Sequence, residues 1–174
     1  MAFNDVVDQI FQRQERTVRR VGRVAGVGGD WSPAADFQIF TIAGGPVKIT
    51  SMFGHVTAVF AGANAIPLIT IGAANAICVV AVAAAFALNS LLVWDGSLTA
   101  VSGVLRATAA LLHSQSTGSV GTAATAESWA GPILCMPGIV TIVNVGGAAD
   151  ATGVVDWYLS YIPLTSAATV TAIP

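Results

Sequence analysis

Beyond residue 35 the apolar positions fall into short runs, broken at close intervals by glycine, asparagine and proline. The runs are DFQIFTIA (36–43), PVKITSMFGHVTAVFA (46–61), AIPLITI (65–71), AICVVAV (76–82), SLLVW (90–94), SLTAV (97–101), GIVTIVNV (138–145), GVVDWYLSYIPL (153–164) and ATVTAI (168–173). Their richness in β-branched and aromatic residues, and their turn-bounded lengths, predict strands. Many short strands with frequent turns predict a mainly β fold, an antiparallel β-sandwich or jelly-roll-like domain over residues 30–174. Gly44-Gly45 predicts a tight hairpin between the first two runs. The small, polar stretch 114–131, SQSTGSVGTAATAESWAG, reads as an exposed loop.

The first residues follow a different period. Phe3, Val7, Ile10, Phe11, Val18 and Val21 recur close to helical spacing, and Arg13, Arg16, Arg20 and Arg23 form a stripe on another sector. This predicts an N-terminal amphipathic helical arm that ends in the glycine-rich tether Gly22–Gly29, so that residues 1–29 and 30–174 are separate units. Charge divides the same way. Residues 1–23 hold Arg13, Arg16, Arg19, Arg20 and Arg23 against Asp5, Asp8 and Glu15, whereas the remainder holds Lys48 and Arg106 against six carboxylates. A basic end on an acidic body marks an arm that touches something the body does not; a helix packed on its own domain with solvated arginines is the plainer alternative.

Only 9% of the residues are charged and 55% are apolar, with a mean hydropathy of +0.75, which excludes intrinsic disorder. No charged residue occurs between Ile49 and Trp94, and residues 76–94 are long enough to span a bilayer as a helix. Glycine, asparagine and proline punctuate that interval, however. The chain also has 50 β-branched residues against 14 of Leu, Glu and Lys together, a balance that favours strands. Runs such as VTIVNV are apolar on both faces, and a sandwich buries only its inner faces, so other copies of the chain are the economical cover. The net charge of −2 gives no reason to expect direct nucleic-acid binding.

Candidate chemistry is sparse. Cys78 and Cys135 form no CxxC pair and read as buried small hydrophobes; with His55 and His113 they make a conceivable zinc set that lacks the short spacings of such sites. The opening of the chain lacks a secretory pattern, which points to synthesis in a reducing cytoplasm. No GxSxG, HExxH, SxxK or P-loop motif occurs, and GVGGDW at 26–31 departs from GxGxxG at its last position. The expectation is therefore no catalytic, metal-binding or cofactor-binding residue and no small-molecule substrate. Trp31, Trp94, Trp129 and Trp157, with Tyr158 and Tyr161, read as core or oligomer-interface anchors, with sugar stacking as the alternative.

DFQIFTIAGGPVKITSMFGHVT (36–57), LLVWDGSLTAV (91–101) and GVVDWYLSYIPLTSAATVTA (153–172) together resemble small β-rich virion proteins of tailed bacteriophages, in particular head decoration, or cement, proteins. The resemblance implies a non-enzymatic virion protein, made in the host bacterial cytoplasm, that sits on the capsid surface as a homotrimer and binds the major capsid protein. On the reading of the residues, Phe3, Val7 and Ile10 with Arg13, Arg16, Arg19, Arg20 and Arg23 are the candidate shell contacts, the arginines through carboxylates. A tail or fibre component binding a host glycan and a small membrane protein crossing with residues 76–94 are the alternatives.

Overall fold

In the computed structural model, residues 14–23, 30–31, 36–60, 67–72, 75–76, 87–94, 105–107, 133–144 and 152–174 are described. They contain strands and turns and no helix. The strands are β1 (Arg16–Arg20), β2 (Phe37–Ala43), β3 (Val47–Ala58), β4 (Pro67–Ile71), β5 (Asn75–Ala76), β6 (Leu91–Trp94), β7 (Leu105–Ala107), β8 (Ile133–Cys135), β9 (Gly138–Asn144), β10 (Val154–Pro163) and β11 (Thr169–Ala172).

Two antiparallel sheets result. The first has the order β1-β10-β3-β6-β7, with β8 continuing the β6 side of β3; the second has the order β11-β2-β9-β4-β5. One core joins them. Val47, Ile49, Met52, Val56, Trp157 and Leu159 from the first sheet meet Phe37, Ile39, Phe40, Ile42, Ile69, Val140 and Ile142 from the second, all buried. The result is the sandwich-like β body that the period-two runs predict, because alternate residues of each strand have a dry face to fill.

Irregularities keep that face continuous. A register shift between Gln38 and Phe40 lets Ile39 and Phe40 both enter the core. Another leaves Thr50 without a partner on β10, so that Ile49 and Met52 both point inward. At Gly54 a Cβ would stand 2.6 Å from Val155 and 3.0 Å from the Trp157 ring, so glycine is what allows these side chains to cross β3.

Three expectations are corrected. The helix over residues 3–21 does not hold where it can be seen: Arg16–Arg20 is a strand, paired along its length with Trp157–Tyr161 of β10, so residues 16–23 belong to the body. Residues 1–13 lie outside the described residues. Gly44-Gly45 does not close a hairpin, because β2 and β3 lie in different sheets; with φ of 72° and 155° the pair carries the chain from one sheet to the other. Nor do residues 76–94 form one spanning helix: Ala76 lies in β5, residues 88–89 form a turn and Leu91–Trp94 is β6. No helix among the described residues is long and apolar enough to cross a membrane.

Candidate functional site

The most densely bonded polar cluster is built on β1. Alternation along RTVRR turns Val18 and Arg20 inward, Arg20 being 1% exposed, and puts Thr17 and Arg19 on the outer face; Arg16, opposite Tyr161 on the inward parity, is exposed at the start of the strand. A buried guanidinium requires a fully bonded partner. Arg20 finds one in Asp30, making two bonds of 2.6 and 2.7 Å to its carboxylate, while its Nε donates to the carbonyl of Ile173 at 2.7 Å. Asp30 also accepts from the Arg23 backbone N–H at 3.1 Å, and the Arg23 guanidinium lies 3.6 Å away. Trp31, next in the chain, adopts a left-handed φ of 57° and packs edge-on against Phe37 and Phe60. The Arg20 guanidinium lies 5.7 Å from the centre of the Phe37 ring. This cluster joins β1, the 30–31 turn and Ile173; the Arg20 and Asp30 charges are spent on one another, whereas the buried Trp31 Nε1–H has no hydrogen-bond partner and the Arg23 side chain is half exposed.

The outer face of the first sheet carries a second constellation. Arg19, Tyr158 and Phe53 stand in one row across β1, β10 and β3. The Tyr158 and Phe53 rings stack at 4.7 Å and 10°, and Arg19 lies 5.7 Å from the Tyr158 centre while bonding Asp156 at 2.6 Å. The hydrogen bond to Asp156 raises the Arg19 pKa from its ordinary value, with Tyr158 adding to the effect. Asp156 also accepts from the Gly22 N–H at 2.8 Å, and the Thr17 and Ser160 hydroxyls share a 2.8 Å bond. The rings face each other and Arg19, so the row is a cross-strand ladder more than a flat platform for a sugar.

The residues singled out from sequence are therefore dispersed. Phe3, Val7, Ile10 and Arg13 lie outside the described residues, as does Trp129. Arg16, Arg19 and Arg23 are exposed, whereas Arg20 is not available to a partner. Trp31, Trp157 and Tyr161 are core residues, Tyr161 accepting the Val170 N–H at 3.3 Å, and Trp94 lies in β6. His55 is half-buried on the outer face of β3, while Cys135 points into the core, where burial pushes its thiol pKa up to about 11; His113 and Cys78 lie outside the described residues. Among the described residues no group of three or more His, Cys, Asp or Glu side chains could hold a metal ion.

Missed in the sequence were the two aspartates that hold the arginines and three exposed apolar side chains, Leu134, Met136 and Leu164. The chain crosses between sheets at 44–46, 136–137 and 164–168, and these crossings share one end of the body, with the Leu164 N–H bonded to the Pro46 carbonyl. Nothing in the local pattern distinguishes Met136 from a core methionine. No family model, curated protein or solved structure matches the chain.

Proposed function

We propose that the protein is a non-enzymatic structural component of a virion, a decoration protein that binds and stabilises a phage head shell as a homotrimer, with a jelly-roll body. The observation that supports this reading is the strand order: β1-β10-β3-β6 and β2-β9-β4-β5 form the two sheets, and the chain changes sheet at β1–β2, β2–β3, β3–β4, β5–β6, β8–β9, β9–β10 and β10–β11, an order compatible with a jelly roll. Capsid domains are one of the main uses of that fold. Fold alone does not determine function; the resemblance of residues 36–57 and 153–172 to decoration proteins supports the same reading.

The shell contact is the basic end, in revised form. The exposed Arg16, Arg19 and Arg23, with Arg13, meet the carboxylates of the major capsid protein on the outer head surface, Phe3, Val7 and Ile10 supply apolar contacts, and the buried Arg20 is excluded from the set. Several weak contacts per trimer suffice, because each copy raises the effective concentration of the next.

Binding of full-length protein, a truncation lacking residues 1–13, and Arg16→Glu to undecorated shells across a salt series tests this. Both variants are expected to bind more weakly, and the wild type to weaken with salt, since exposed ion pairs are screened over about 8–10 Å at ordinary ionic strength. Equal binding of all three would reject the basic end as the contact.

A further inference from the structure

Charge is confined to one of the two sheets. None of the 25 residues of β2, β4, β5, β9 and β11 is Asp, Glu, Lys or Arg, whereas the other sheet carries Arg16, Arg19, Arg20, Lys48, Arg106 and Asp156. Strand register places the outward side chains of the uncharged sheet in rows. Thr171 pairs with Thr41, Thr41 with Ile139, and Thr141 with Thr70, with Val143 farther along β9. Thr171 is exposed and the others are half-buried.

We propose that this outer face is the surface on which other copies of the chain pack. Near a symmetry axis each residue meets its own equivalents, so a charged face opposes like with like and a neutral face does not. Threonine hydroxyls both donate and accept, so threonine opposite threonine leaves no group unpaired. β-branched side chains also have few rotamers to lose on burial. The outer face of the first sheet lacks this property, since Arg19 and Lys48 would confront themselves. Five strands about 4.8 Å apart span about 19 Å between the outer two, and the seven-residue β9 runs about 24 Å along the face. Met136, 70% exposed, between β8 and β9, and Leu164, 45% exposed, just past β10, stand at the end of the body where the chain crosses between the sheets. Methionine is enriched at such interfaces.

The inference rests on the oligomeric part of the proposed function and names its interface. Sedimentation velocity at low micromolar concentration, with far-UV circular dichroism, tests it on wild type, Thr141→Lys and Ser51→Lys, the last on the outer face of the charged sheet. The wild type is expected at a multiple of 17.6 kDa. Thr141→Lys is expected at the single-chain mass with an unchanged β spectrum, and Ser51→Lys at the wild-type mass.

Thr141→Lys at the wild-type mass overturns the interface and leaves the oligomeric reading standing. A monomeric wild type overturns both, and shell binding is then measured independently. If Thr141→Lys does not fold, thiol labelling of Thr171→Cys and Ser51→Cys decides. Labelling at 171 is expected to be slower by at least about tenfold, because access requires dissociation; equal rates overturn the proposal.

Discussion

Arg20 shows how far the role of a single residue can depart from its type. Of the four described arginines near the chain start, Arg16, Arg19, Arg20 and Arg23, Arg20 is the buried one, and its charge is tolerable only because Asp30 and the Ile173 carbonyl occupy its donors. Removing one member of a buried pair strands the other, at a cost of about 3–5 kcal/mol. Arg20→Met is therefore expected to lower stability by that amount in urea unfolding. Arg20→Met with Asp30→Leu should recover much of the loss, since no unpaired charge remains. Cys135 makes a prediction of a different kind. Burial raises its thiol pKa from 9.0 to about 11, so the unfolded chain loses this proton first. The stabilisation is complete below pH 9 and is lost as pH rises through 11, by at most about 2–3 kcal/mol. Cys135→Val should flatten that part of the stability profile between pH 9 and 11.

Among the elements, β1 is the one whose type was misread. Five residues, RTVRR, fit a helical stripe and a period-two strand equally well; pairing to β10 more than a hundred residues away decides between them. The longer body strands were legible because they repeat an inward residue several times within one run, as Val47, Ile49, Met52 and Val56 do in β3, whereas the three-residue β7 and β8 fall outside every predicted run. Gly44-Gly45 was legible as a turn but not as a crossing, because a local sequence does not say which sheet the next strand joins. Both positions are tightly boxed: a Cβ at Gly44 would meet the Ala167 carbonyl, and one at Gly45 the Thr165 hydroxyl. The polar cluster was illegible because Asp30 lies beyond the tether and Asp156 near the far end of the chain. The element-scale prediction follows from β1 as a strand. Removing residues 1–13 should leave the unfolding midpoint unchanged, whereas removing 1–23 takes away a strand and the Arg20 pair and should cost at least about 4 kcal/mol, read by thermal or urea unfolding.

Across the whole molecule, a single core receives side chains from both sheets, with Trp31 and Trp157 fully buried inside it. Neither sheet has a dry face without the other, so the body should unfold in one step. Tryptophan fluorescence and far-UV circular dichroism are expected to give coincident urea transitions; separated transitions would show sheets that hold independently. The same architecture has a mechanical side. Tension applied along β1 from residues N-terminal to Arg16 meets five register pairs loaded together in shear, rather than opened one after another. Behind them, the Arg20 guanidinium passes part of the load directly to the carbonyl of Ile173. A pull on β1 is thus delivered to the residue that follows β11 in the opposite sheet.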